Sequence, residues 1–555
     1  MQDTWKCRHD LEVRSQLLDH SKSISEREVT GYYWVDPANK DAYLSVDRLT
    51  SPVIQPSNYP DNEVQEESKA REKFHCLTVI NRFDLLRQWL KVCDKQHSCM
   101  QHRRQIVPKR VIYVGTDHSD QLELQLSANI THPFEYITLS HCWGTPTDEE
   151  KERFCTTSQN HPKRLKGFSY HSLPKVFQDA ITVTRELNKQ YLWIDALCII
   201  QGDQKDWEEE GTRMDNVFAS AYCTIASSSA SSWNDGFLNR TEVFSQSEAV
   251  SSDQKIVDDF CKLVDEGQLQ KRAWVLQERV LSRRTIYFTA QQTYWECGEG
   301  VRCENFSILS CPLTRSFLLD PQFPTRLLFS GHRSIALFLQ ELITDYSRRD
   351  LTFPKKDKVV AFSGIAERIK KALSTEIRYG VFCCFLPRLL LWKRAGMEND
   401  QIFHDNDHVP SWSWMLYHDK IDFLIQSDLQ VPKHQSLSFD NSERGINIEV
   451  RQFEDCYTRE RDGEYIIFTD TKGVEVTKEV EVGILHFDMG SAAEVESRNC
   501  VVIAVSEDDD EDDPNKEYYI LAVQKKWGEE EYKRLGVGRV RAGYVSKEST
   551  SGKLL

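Results

Sequence analysis

The sequence predicts an α/β protein: a mainly parallel sheet flanked by helices, then a helical middle segment and a β-rich C-terminal region. Three observations predict this. Between Tyr136 and Cys297, apolar runs of strand length alternate with stretches of helical spacing, the pattern of a parallel sheet covered by helices. From Asn305 to about Gly396 helical spacing predominates. From Pro410 onward, short β-branched and aromatic runs take over. Four regions follow: a leader of short helices and strands at 1–130, the α/β domain at 131–300, a mostly helical segment at 301–400 and a β-rich region at 401–555.

In the leader, residues 1–70 are polar and weakly periodic, and Leu85, Leu86, Trp89 and Leu90 mark one helix. Val111–Val114 and Leu122–Leu126 read as short strands. In the α/β domain Tyr136–Ser140 is a strand. Ser172-Leu173-Pro174 reads as a helix start, with Ser as cap and Pro in the first turn. Tyr191 to Ile200 is a near-continuous apolar run, expected of a central strand covered on both faces. Asp206 with Glu209 reads as a capping box. Tyr222–Ala226, Thr285–Thr289 and Thr293–Cys297 are further strands, and Arg272–Leu281 a helix. Candidate strands beyond Pro410 are Ile446–Val450, Tyr465–Phe468, Val501–Val505 and Tyr518–Val523.

Composition narrows the function classes. With 40% hydrophobic residues, 13 Trp and 26 Phe, the chain can build real cores. A net charge of −16 argues against a nucleic-acid surface. The acidic run from Ser506 to Asp513 reads as a solvated loop. The first residues are charged where a secretory signal would be apolar, and no apolar stretch is long enough to span a bilayer. Sixteen scattered Cys fit reduced thiols in the cytoplasm. Cys76, Cys93, His97 and Cys99 have metal-ligand chemistry, but their spacing matches no standard zinc knuckle; buried thiols are the expectation, with no metal assigned.

Three segments carry candidate chemistry. Leu139-Ser140-His141-Cys142-Trp143-Gly144 places a hydroxyl, an imidazole and an indole at a strand's C-terminal end, where ligands of such sheets bind. Cys142 beside His141 suggests a thiol nucleophile, yet adjacent strand residues point to opposite faces; Cys198 is the other thiol of that reading. Trp193-Ile194-Asp195-Ala196-Leu197-Cys198 puts a carboxylate in an apolar run, as a sheet-edge clamp or a ligand contact. In the following helix Met214, Val217, Phe218 and Ala221 form the inward stripe, and stepping back reaches Glu210 and Trp207 near the helix start. Glu208 and Glu209 fall off it and suit the helix dipole. In Arg272–Ser282, Trp274, Gln277 and Glu278 share one face, suited to a buried network or a pocket wall.

In this order and spacing the segments closely resemble the fungal heterokaryon incompatibility (HET) domain, whose pattern runs LSHCWG, WIDxLCIxQ, an acid four before a Met, and RxWxLQExxLS. Trp89–Cys99, Leu351–Ile365 and Pro410-Ser411-Trp412-Ser413-Trp414 resemble the segments that flank it in such proteins. The resemblance implies a TIR-like or flavodoxin-like central domain and a cytoplasmic role in self/non-self recognition and regulated cell death, with incompatibility or immune-signalling partners and self-association. Some TIR domains hydrolyse NAD with one helical Glu. Their WCxxE motif has a counterpart here in Trp207-Glu208-Glu209-Glu210, one residue shorter and lacking the Cys. The resemblance thus implies Glu210 as the catalytic acid, with NAD as substrate and no bound cofactor. Ser140, His141, Trp143, Asp195, Trp207, Trp274, Gln277 and Glu278 would line the site. A non-catalytic module that signals by assembly is the alternative.

Overall fold

A computed structural model describes strands at 32–35 and 43–46 and residues 82–555, apart from 102–105, 117–118, 240–258, 305–307, 310–318, 396–408, 425–436, 462–463, 473–476, 489–497, 507–512 and 527–529. Cys76 and nearly all of the acidic run lie outside the described residues. The chain divides into two compact units, one at 26–327 and one containing 328–555.

In the first unit β1 (Tyr32–Val35) and β2 (Tyr43–Val46) form an antiparallel hairpin, followed by α1 (Arg82–Gln96). The main sheet has ten strands: β3 (Arg110–Tyr113), β4 (Gln121–Leu126), β5 (Tyr136–Ser140), β6 (Phe168–Ser169), β7 (Tyr191–Trp193), β8 (Cys223–Ala226), β9 (Arg284–Phe288), β10 (Thr293–Cys297), β11 (Gly300–Cys303) and β12 (Ile308–Leu309). Their order is β12-β11-β10-β9-β8-β5-β7-β3-β4-β6. Only the centre is parallel, β7-β5-β8-β9; both flanks are antiparallel. The sheet is therefore mixed rather than mainly parallel. β3–β4, β9–β10 and β10–β11 are joined by short connections, which reverse direction by necessity, whereas β7–β3 and β4–β6 pair antiparallel across long stretches of chain.

Among the described residues seven further α-helices accompany the sheet: α2 (Asp148–Phe154), α3 (His161–Arg164), α4 (Lys175–Glu186), α5 (Asp195–Cys198), α6 (Gln204–Gly211), α7 (Met214–Ser220) and α8 (Ala273–Leu281). Helix α4 buries Val176, Phe177, Ala180, Ile181 and Val183, each larger side chain contributing about 1.5–3 kcal/mol.

Four sequence readings are corrected here. The apolar run from Tyr191 leaves the sheet after Trp193, because Ile194 O accepts from Leu197 and Cys198 N–H and starts a helical turn. An apolar run reports burial, not strand geometry. Pro174, not Ser172, occupies the cap of α4; Ser172 Oγ donates to Ser169 O instead. Asp203 caps α6, accepting from Asp206 N–H at 3.1 Å, while Asp206 turns inward to a buried arginine. The helix bearing Glu210 also breaks at Thr212–Arg213, so Glu210 sits in the last turn of α6 rather than near a start, and Glu208 and Glu209 are not at the dipole's positive end.

In the second unit, α9 (His332–Ser347) and α10 (Pro354–Leu373) precede a strand-rich region. Trp412 and Trp414 are fully buried and donate to Arg444 O and Gly380 O. Strands at Ile446–Gln452, Asn499–Val505, Glu517–Lys525, Glu531–Arg541 and Thr550–Leu554 pair in a closed ring, the last bridging the fourth and the first. The sheet continues past this ring, from Glu531–Arg541 through Thr477–Phe487 and Glu464–Lys472 to the edge strand Tyr457–Arg461, whose exposed Arg459 and Arg461 put charge on that edge. Among the described residues no helix is long and apolar enough to cross a membrane.

Candidate functional site

The parallel centre presents its carboxyl ends on one edge. There β5 ends at Ser140, held between β7 and β8, and Ser140 O accepts from Ser227 N–H at 3.0 Å. His141 follows, its carbonyl accepting from the Arg272 guanidinium at the start of α8. Gly144 lets the chain turn away: its φ is +71°, and a Cβ there would stand 2.7 Å from Ser232 Cβ.

His141 and Asp195 meet across the edge. Trp143 Nε1 donates to Asp195 Oδ2 at 2.9 Å, and Asp195 Oδ1 accepts from Ala196 N–H at 2.7 Å. Asp195 lies just past β7, on the first position of α5, not inside a buried strand, and keeps 23% of its side chain exposed. His141 Nδ1 is 3.8 Å from Asp195 Oδ1, too far for a hydrogen bond. The ring is 1% exposed and packs edge-on against Phe177. Burial pushes its pKa down to about 4, against Asp195 and helped by Arg272, so the imidazole is neutral at neutral pH. Neither His141 Nε2 nor Ser140 Oγ has a hydrogen-bond partner. Trp143 stacks on Trp233 with centroids 5.7 Å apart. Asp179, fully buried on α4, fixes the segment carrying Trp233 by accepting from Phe237 and Leu238 N–H.

Glu210 belongs to a second cluster on the β3 side. By strand register Arg110 lies level with the C-terminal end of β7. It donates to Cys198 O at 2.6 Å and pairs with Asp206. Asp206 also accepts from Ile200 N–H at 2.8 Å and Lys109 at 3.0 Å. Burial alone would raise its pKa, but these donors hold it low. Glu210 is 1% exposed; Oε1 has no hydrogen-bond partner and stands 3.6 Å from Arg213 Nη1. Burial raises its pKa despite Arg110 and Arg213. No hydrogen bond or ion pair among the described residues joins Glu210 to Ser140, His141, Trp143 or Asp195. The half-buried Trp207 ring packs against Gly211 on the same helix.

A third group lies under α8. Gln277 and Glu278 are buried and Trp274 half-buried. Ser140, Thr224, Gln270, Val275, Glu278 and Tyr287 line a cavity of about 10 Å³, partly open to solvent, room for about one water and far below the roughly 300–1,000 Å³ of small-molecule sites. Beside it Arg279 bridges Glu296 at 2.6 Å and Asp265 at 2.7 Å.

The structure thus joins Trp143, Asp195 and His141, sets Ser140 and Glu278 on one cavity, and places Glu210 and Trp207 in a separate cluster. Burial does not favour the thiol-nucleophile reading of Cys142 and Cys198. Cys142 packs on the opposite side from His141, among Phe260, Val275 and Tyr287, and burial raises its pKa. Burial pushes Cys198 up to about 12. Arg110 and Asp179 were missed by sequence reasoning and Asp206 was read only as a helix cap, since a charge flanking an apolar strand carries no periodic signal. The only hint was the cost of burying a charge among apolar neighbours.

An α/β domain with three interlocked motif segments on the carboxyl edge of its parallel strands is the class that this geometry defines. The family model described as heterokaryon incompatibility protein (HET) matches residues 136–278, from β5 to α8. Residues 136–278 are thus similar to the HET domain, and the matched span takes in β5, β7 and β8 of the parallel centre with the motif residues from Ser140 to Glu278. No curated protein and no solved structure matches the chain.

Proposed function

We propose that the chain acts in the cytoplasm as an inducer of regulated cell death in self/non-self recognition, by cleaving the nicotinamide–ribose bond of NAD or a related nucleotide at a TIR-like site. The observation that carries this reading is Glu210: a carboxylate 1% exposed, with one oxygen lacking a hydrogen bond, near the carboxyl edge of the sheet. Buried acids left without a donor are rare in structural networks and common where a ligand completes the bonding. In the reaction the C1′–N bond breaks, nicotinamide leaves with the electron pair, and water adds to C1′ and gives up a proton. Glu210 would hold the ribose hydroxyls and stabilise the oxocarbenium-like transition state. Trp143 and Trp207 offer ring faces, and Ser140 and His141 unsatisfied polar atoms. Trp274, Gln277 and Glu278 would form the far wall.

A second reading, a non-catalytic module that signals by assembly with itself or with incompatibility partners, is favoured by one observation. The motif residues Trp143, Asp195 and Arg272 spend their hydrogen bonds on this chain's own groups, and the cavity beside Ser140 is too small for a nucleotide without movement of α8.

The test is NAD turnover by the purified full chain at high concentration, wild type against Glu210→Gln. The catalytic reading expects loss of about 100-fold or more, as for removal of one charge-stabilising group. The variant should melt no lower than wild type at neutral pH. A raised folded pKa means that Glu210 contributes stability below its unfolded value, and that this is lost as pH rises through the folded one. Gln stays in the uncharged condition. Equal turnover in the two proteins, or none from wild type in any assembly state, sinks the catalytic reading and leaves the second.

A further inference from the structure

The end of α1 carries a group that the HET site does not use. Cys93 lies in its last turn, and His97 N–H bonds Cys93 O at 3.2 Å, so the helical path continues past the assigned end. Cys99 follows two residues later. All three side chains meet Cys297, the last residue of β10. The four donor atoms lie within 4.8 Å of one another, with Cys297 Sγ 3.5 Å from His97 Nδ1. Zn–S and Zn–N bonds of about 2.3 and 2.0 Å in a tetrahedron require donors roughly 3.3–3.8 Å apart, so small side-chain rotations suffice. Cys93 and Cys99 are fully buried and Cys297 nearly so.

The surroundings suit thiolates. Gly298 N–H donates to Cys99 Sγ, and a Cβ at Gly298 would stand 2.8 Å from the Pro321 ring and 3.2 Å from that sulfur, so glycine lets the chain pass close. The buried Arg284 guanidinium faces Cys93 and offsets negative charge there. Disulfides do not account for the group: all these cysteines are free thiols, and a disulfide would leave one sulfur and an imidazole over.

We propose that Cys93, His97, Cys99 and Cys297 bind one zinc ion in a closed, four-coordinate structural site. Three soft thiolates and an imidazole are zinc chemistry, and with all positions filled by protein the ion has no open place for substrate. The ligands bracket the matched span, three before it and one after. The ion therefore fastens α1 to the sheet's antiparallel flank. Hydrogen bonds already run along this seam: Arg284 and Tyr222 donate to Asp94, and Arg283 to Cys99 O. Metal binding would add its free energy to folding of the unit.

The experiment is metal analysis of the full chain purified in reducing, chelator-free buffer, with zinc displaced by cobalt(II) as a spectroscopic probe. One zinc per chain is expected, retained through gel filtration, and the cobalt form should show sulfur-to-metal charge transfer with the intense visible bands of a tetrahedral site. Cys297→Ser should lose both signals, while Cys500→Ser, a buried thiol of the second unit, should keep them. Should Cys297→Ser fail to fold, wild-type protein titrated with a mercurial decides: the proposal expects one zinc released as its thiols are consumed. Folded wild type with well under one zinc and no cobalt–thiolate bands overturns the site. So does full zinc retention by folded Cys297→Ser, or a Cys93–Cys99 disulfide in freshly purified protein.

Discussion

His141 and Glu210 are both buried titratable groups at the candidate site, and burial drives their pKa values in opposite directions. For His141 the folded value falls from 6.5 to about 4. Its neutral ring contributes stability fully present above pH 6.5 and lost as pH falls towards 4, about 3 kcal/mol at roughly 1.4 kcal/mol per unit. His141→Asn keeps a donor near the Nδ1 position, facing Asp195, and removes the proton uptake. Denaturant melts at neutral pH and near pH 4 should show a smaller acid loss in the variant than in wild type; an unchanged loss would place the acid sensitivity elsewhere. Glu210 was legible in the sequence as an acid on an apolar stripe, and it is buried. Its position in the helix was not, because the break at Thr212–Arg213 follows from tertiary packing that the 3.6-residue period does not encode.

At the scale of elements, the short α5 and α6 are held less by helix propensity than by Arg110. One guanidinium bonds the carbonyl that ends α5 and the Asp206 carboxylate in the first turn of α6, and α6 is too short to be stable alone. Asp206→Asn should cost about 3–5 kcal/mol, because it leaves Arg110 buried and uncompensated. A shift in the urea midpoint at unchanged slope measures this, and a loss under 1 kcal/mol would mean that water reaches the pair. The five-residue strands Tyr136–Ser140 and Thr293–Cys297 were readable to the residue, since aromatic and β-branched residues cluster in each. The Tyr191 run was misread because buried helix and buried strand look alike when neither face is polar. Cys297 as partner of Cys93, His97 and Cys99 was invisible, because sheet order, not sequence spacing, brings it there.

At the scale of the molecule, each unit has its own buried ion pair and core. In the second unit Arg534 donates twice to Asp488 and to the carbonyls of Leu390 and Trp392, with its guanidinium over the Trp392 ring. That network ties the closed strand ring to the Trp-rich segment before it, and composition foretold only that so many aromatics would be buried. The mixed sheet of the first unit likewise exceeds its legible centre: periodicity shows strands, but the long-range pairings of β7 with β3 and of β4 with β6 carry no sequence signal. Proposed catalysis at the centre makes a claim about the whole protein, that its presence in a cell consumes NAD. The most direct measurement is cellular NAD and viability after induced expression of wild type and Glu210→Gln at matched levels. NAD falling before viability in wild type, with both preserved in the variant, is the predicted result. Equal killing by both proteins at normal NAD would contradict it.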